Sequence, residues 1–242
     1  MCTVTFIPDK GKIYLTSNRD EKQARLDAIS PAIYESESGK MLFPKDAEAG
    51  GTWIAAHENG NAIVFLNGGF RAHEPQPPYR KSRGLILLDL IEGATPYNSF
   101  IAIKLNRIEP FTAIIWDEHH LFECRWDGEQ KHTKQLDAHR PHIWSSVTLY
   151  DEDVSSRRNL WFENWIKKND HPSIKEIMHF HQFTGDGDTH NDLRMNRHGK
   201  LFTVSVTSLL LNSKEAIMEY LDFKNNIQTK GSLILEKSMV IR

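Results

Sequence analysis

The residues best equipped for chemistry lie near the start of the chain: a cysteine at position 2 and the tetrad Asn18-Arg19-Asp20-Glu21. Cys2 precedes a β-branched run, Thr3 to Ile7, and the tetrad follows a second run, Ile13 to Ser17, with Pro8-Asp9-Lys10-Gly11-Lys12 between them as a turn-forming cluster. An antiparallel hairpin of the two runs carries Asn18, Arg19 and Asp20 back beside residue 2. A thiol, a guanidinium and a carboxylate then share one end of a sheet. A thiol with a reference pKa of about 8.5 becomes a strong nucleophile when a neighbouring cation stabilises its thiolate, the role Arg19 could take. If Met1 is removed, the α-amino group of Cys2, with a reference pKa of about 7.7–8.0, can act as the general base. Asp20 would hold that amine in place.

Other residues invite weaker readings. In Gly50-Gly51-Thr52-Trp53 the paired glycines permit close backbone approach beside a site walled by Trp53, or simply make a turn before a core strand. Arg83, at the start of a helix, could bind an acidic group or pair with a surface carboxylate. The run Asp186-Gly187-Asp188-Thr189-His190-Asn191-Asp192 resembles the opening of a calcium loop. However, Asn191 stands where that loop needs its sharp-turn glycine and Arg197 where it needs its bidentate glutamate. It reads as a solvated loop. His119-His120 and His179-x-His181 lack the spacing of a zinc site, so neither a metal nor a cofactor is expected. The aromatic stripe of Trp161, Phe162 and Trp165 reads as core.

Taken together, the opening MCTVTFIP, the tract TSNRDE (Thr16 to Glu21) and AGGTW (Ala49 to Trp53) resemble the signature stretches of the NRDE family, which includes the eukaryotic transport-and-Golgi-organisation 2 group. Leu66-Asn67 and Ser82-Arg83-Gly84 follow in the order in which that family shows a strand-end asparagine and an Arg-Gly at a helix start. The resemblance implies an α+β fold, a four-layer αββα sandwich of the N-terminal-nucleophile (Ntn) hydrolase type with two stacked, mainly antiparallel sheets. It also implies cleavage of a non-peptide C–N amide bond of a small molecule. Residue by residue it makes Cys2 the nucleophile and base, Asp20 the carboxylate near the amine and Asn67 a candidate oxyanion donor, to which the hairpin geometry adds Arg19 beside the thiol. Asn18, Trp53, Arg83 and Ser146 are the expected substrate contacts. Two positions depart from the related bile-salt hydrolases. Ser17 stands where those enzymes carry arginine, and Ser145-Ser146 where a later catalytic asparagine belongs, so a hydroxyl or backbone N–H would have to donate there.

The elements that must position these residues are mostly strands. Thr52 to Ala56 and Ala62 to Leu66 flank Asn59-Gly60 as a second hairpin, and Thr112 to Trp116, Leu121 to Trp126 and Lys131 to Leu136 form a third set. Ser82 caps a helix through Ile91 to a stop at Gly93, a longer helix runs from about Asp153 to Asn169, and Pro172-Ser173 opens a shorter one. Thr203 to Leu211 is a strand, and Glu215 to Phe223, ambiguous in period, is taken as another. Runs of strands, then helices, then strands fit layered α+β architecture.

With 242 residues, 39% of them hydrophobic and 26% charged, the chain is expected to form a single domain over residues 1–242. A net charge of −2 offers no field to gather phosphates, which argues against nucleic acid as a partner. No apolar run approaches the roughly 20 residues of a spanning helix, and the charged start does not read as a signal peptide, so a cytoplasmic protein is expected, with no membrane insertion. Two cysteines are too few for a disulfide framework. The sequence leaves the oligomeric state open, and its expected partner is a small-molecule substrate or ligand. Beside the hydrolase or acyltransferase reading stands a non-catalytic carrier of a hydrophobic, lipid- or haem-like molecule, and beside both an interaction module docking through the two-tryptophan helix.

Overall fold

The computed structural model describes residues 3–236. In chain order the elements are β1 (Thr3–Asp9), β2 (Lys12–Lys22), β3 (Ile29–Ser36), β4 (Gly39–Lys45), β5 (Ile54–His57), β6 (Ala62–Asn67), α1 (Arg83–Ile91), α2 (Pro96–Ala102), β7 (Phe111–Asp117), β8 (His120–Trp126), β9 (Lys131–Leu136), β10 (His142–Ser145), α3 (Glu152–Ile166), α4 (Ile174–Phe183), β11 (Asn196–Arg197), β12 (Leu201–Leu211), β13 (Glu215–Asp222) and β14 (Ile227–Ile234). The first hairpin is tighter than the five-residue cluster suggested. Asp9 pairs with Lys12, and Lys10 and Gly11 both take positive φ, the two-residue turn whose twist matches its strands.

Two antiparallel sheets result. One has the order β10-β1-β2-β12-β13-β14, with the short β11 on β12; the other is a meander, β3-β4-β5-β6-β7-β8-β9, in which each strand pairs with its sequence neighbour. Val4, Phe6, Ile13, Leu15, Leu209 and Met218 of the first sheet meet Leu42, Ile54, Val64, Ile114 and Trp116 of the second in an apolar layer between them. Each outer face is covered by helices. Ile86, Leu87, Leu90 and Ile91 of α1 and Phe100 of α2 pack against Ala55, Ile63, Phe65 and Ala113 of the meander. Phe162 of α3 with Ile177 and Phe180 of α4 packs on Ile7 and Tyr14 of the first sheet. The four layers are thus helix, sheet, sheet, helix, as anticipated, with no helix among the described residues long and apolar enough to cross a membrane.

The helix caps behave as the sequence indicates. Ser82 accepts from the Leu85 N–H at 3.3 Å, Asp151 from Val154 at 2.9 Å, and Ser173 forms a reciprocal capping box with Glu176. Several elements had no clear sequence signal. Strand β3 carries Pro31 and β14 carries Gly231, and both are sheet edges where the apolar alternation is weak. Strand β10 has only four residues and α2 only seven.

Candidate active site

Alternation along β2 sorts the tetrad onto two faces. Ile13 and Leu15 point between the sheets, and Ser17 and Arg19 follow them. Asn18 and Asp20 point to the helical layer. Across from them, a bulge between Thr203 and Ser205 re-phases β12, so that Thr203 opposes Asp20 while Ser205 opposes Arg19. The layer between the sheets accordingly changes from apolar to polar at this end: the fully buried Ser17, Ser205 and Thr207 replace the leucines further along.

Arg19 is only 5% exposed. Its guanidinium lies 4.7 Å from the ring centre of Trp53, and Nη2 donates to Asp46 Oδ2 at 2.8 Å. Trp53 Nε1 in turn reaches Thr207 Oγ1 at 3.3 Å, so the plate under the guanidinium is itself fixed. Asp46 organises the turn before the paired glycines, accepting from the Glu48 and Ala49 N–H groups at 3.0 and 2.8 Å and from Arg25 Nη2 at 3.1 Å. Burial pushes its carboxyl up, but the Ala49 N–H and the two guanidiniums outweigh that and leave it below its ordinary value. Asp46 is a site residue that the sequence reading missed; an acid three residues before Ala49, ahead of Gly50-Gly51, was the available signal.

Gly51 and Gly84 explain the two glycine motifs. A Cβ on Gly51 would lie 2.3 Å from the Gly84 carbonyl carbon, and one on Gly84 would lie 2.8 Å from Thr52 O. Two backbone segments cross here without side chains between them, and the Thr52 N–H donates to Gly84 O at 3.3 Å. The crossing locks the AGGTW turn to the start of α1. Between them opens a cleft of about 610 Å³ whose walls include Arg19, Trp53, Phe65, Asn67, Arg83 and Leu85. Four of the expected site residues, Arg19, Trp53, Asn67 and Arg83, therefore meet around one space. Within it Arg83 pairs with Glu109 at 3.1 Å and donates to Pro110 O at 3.3 Å.

The other expected residues lie elsewhere. Cys2 is outside the described residues; its neighbour Thr3 pairs with Asn18. Asn18 does not reach the cleft. Its Nδ2 donates to the His181 and Leu193 carbonyls at 3.1 and 2.6 Å, and its Oδ1 meets His181 Nδ1, so its amide is engaged within the protein. Ser146, 1% exposed, is not a cleft residue either. Its hydroxyl donates to Asn67 O at 2.9 Å, so it steadies the strand end that carries Asn67. Asp20 stands on the face opposite Arg19, with Oδ2 accepting from Tyr150 OH at 2.8 Å and Oδ1 from Thr203 Oγ1 at 2.5 Å.

Below Asn18, His181 is fully buried and pushed down to about 3 by burial and by the nearby Arg158 cation. It is neutral, and the network fixes its tautomer: Nδ1–H donates to Asn18 Oδ1, and Nε2 accepts from Thr5 Oγ1 at 2.8 Å.

These layers, and a polar sheet end beside the first strand, define a protein of the Ntn-hydrolase fold. Two variants of the conjugated bile acid hydrolase of Clostridium perfringens superpose with a TM-score of 0.62 at 12% identity, one covering 96% of this chain and 92% of that one, the other 100% and 99%. The Caenorhabditis elegans N-acylethanolamine-hydrolyzing acid amidase ortholog superposes with a TM-score of 0.60 at 12% identity, covering 86% of this chain and 92% of that one. The chain belongs to the transport and Golgi organisation 2 family, which matches residues 1–220. No curated protein sequence matches it.

Proposed function

We propose that the chain is an Ntn cysteine hydrolase, or acyltransferase, acting on a non-peptide C–N amide bond of a small molecule. In this mechanism the Cys2 thiol gives its proton to the Cys2 α-amine, and the sulfur attacks the amide carbon. The carbonyl becomes an oxyanion facing the Asn67 amide. Collapse of that intermediate breaks the C–N bond, the proton passes to the leaving nitrogen, and water or another acceptor then attacks the thioester. Arg19 favours the thiolate, and Trp53, Phe65 and Leu85 offer an apolar wall to the acyl portion.

The observation that carries this reading is the placement of Arg19. It is held between Trp53 and Asp46 on the inner face of β2, at the sheet end where Thr3 pairs with Asn18, and it opens onto the cleft that holds Asn67. The mechanism requires the nucleophile on that same side. The relatives of known structure support the chemistry, since those named above are hydrolases of conjugated bile acids and N-acylethanolamines.

The test is intact-mass analysis of protein made with a native start, followed by a screen of small amides. Loss of Met1 is expected, with turnover of at least one amide. Cys2→Ser should retain a weak activity, and Cys2→Ala should lose at least about 10³-fold. An uncleaved tag before Cys2 should abolish turnover with the fold intact. Full activity with alanine at position 2 or with the tag attached would falsify the mechanism. Tight binding of a hydrophobic molecule that Cys2→Ala leaves unchanged, without turnover of any amide, would put the carrier reading in its place.

A further inference from the structure

The outer face of the first sheet holds a charge that the proposed reaction does not use. Arg158 is 0% exposed, and it occupies a core position of α3, in the stripe Val154, Arg158, Phe162. A guanidinium so placed loses its hydration and needs full compensation. The compensation here is by neutral groups: Nε and Nη2 donate to Asn191 O at 3.2 and 3.0 Å, Nη2 also to Asp192 O at 2.8 Å, and Nη1 to Thr3 Oγ1 at 2.5 Å. The guanidinium carbon sits 3.6 Å from the centre of the Tyr150 ring, and Tyr150 OH donates to Asp20. One side chain thus holds the residue next to Cys2 and, through one phenol, the carboxylate expected beside the Cys2 amine.

We propose that Arg158 is a positioning residue for the amino-terminal nucleophile, anchoring the start of β1 through Thr3 and fixing Asp20 through Tyr150. The proposal rests on the reading of Cys2 given above. Three features argue for more than packing. An apolar residue would fill the α3 stripe without the cost of desolvation. A cation over the face of a phenol strengthens its O–H as a donor, and that O–H is aimed at Asp20. Uncompensated by a direct carboxylate, the buried cation also favours loss of protons from the groups around it. Among the described residues, the other charged or titratable groups facing this cluster are Asp20 from β2, the neutral His181 from α4, and Arg197 from β11, 5.4 Å from the same ring.

The test is the pH dependence of Cys2 alkylation by iodoacetamide in the native full-length chain with its free amino terminus. Cys124 does not interfere, because burial pushes its thiol up to about 12. Wild type is expected to react with a midpoint below the free-thiol value of about 8.5. Arg158→Met should raise that midpoint by about one unit, and Arg158→Lys should restore most of the difference. Melting temperature and circular dichroism are followed in parallel. If Arg158→Met does not fold, Tyr150→Phe serves instead: it removes the bond that disperses the charge of Asp20, and it should raise the midpoint in the same sense. A scaffold role alone would lower the melting temperature while leaving the midpoint in place, and that result overturns the proposal. If wild-type Cys2 itself titrates like a free thiol, the nucleophile reading fails and the Arg158 inference falls with it.

Discussion

Asn67 shows how a single residue's place is set by the residues that hold it. It ends β6, pairs with Phe111, has its carbonyl tied to Ser146, and lines the cleft with Arg19 and Trp53. Replacing it with alanine removes the amide that the proposed mechanism assigns to the oxyanion and leaves the backbone contacts of β6 in place. Once a substrate is known, Asn67→Ala should lower kcat by about 10²–10³ with only a small change in melting temperature; an unchanged kcat would remove it from the machinery. Its place at the cleft was legible because the resemblance supplied an ordered set of short motifs. Arg158 was not legible, since an arginine in an amphipathic helix ordinarily lies on the wet face. Its place in the stripe is apparent only once α3 is docked. Ser146 and Asn18 show the reverse case: sequence placed them near the site, but hydrogen bonds within the protein already occupy their polar groups.

At the scale of elements, α4 is fastened to β1 and β2 by a neutral histidine. His181 has a reference value near 6.5 and is pushed down to about 3 in the fold. Between those values the unfolded chain binds a proton that the folded chain refuses, so stability falls as pH falls, by up to about 1.4 kcal/mol per unit. The carboxyls of Asp9 and Asp46, both below their ordinary values, add the same sign of dependence as pH falls through their own range. His181→Gln should therefore be less stable at pH 7 but lose less on going to pH 4, which urea midpoints across that range will show. Equal slopes in the two proteins would mean that the histidine is not the acid-sensitive fastener. The elements easiest to read in the sequence were those with strong periodicity or a cap: the first hairpin, β12, and the helix capped by Ser82. The edge strands β3 and β14 carry polar and turn-forming residues, as exposed edges commonly do, and that chemistry hid them.

At the scale of the whole molecule, the two sheets differ in how far along the chain their partners lie. The meander joins sequence neighbours throughout, whereas β2 pairs with β12, Asp20 meeting Thr203 and Asn18 meeting Val206. Distant pairing must first pay the entropy of closing a long loop, so the meander should form first. Pulsed hydrogen exchange during refolding is expected to protect the amides of β6 and β7 before those of Thr16 to Asp20; simultaneous protection would count against this order. The same separation bears on biosynthesis. Strand β12 leaves the ribosome about 180 residues after the tetrad, an interval of about 10–40 s at ordinary elongation rates. Through that interval β2 lacks its β12 partner, so the first sheet is incomplete while a processing peptidase can act on the nascent chain. Methionine removal, which the proposed chemistry needs, can therefore be finished before β2 gains that partner.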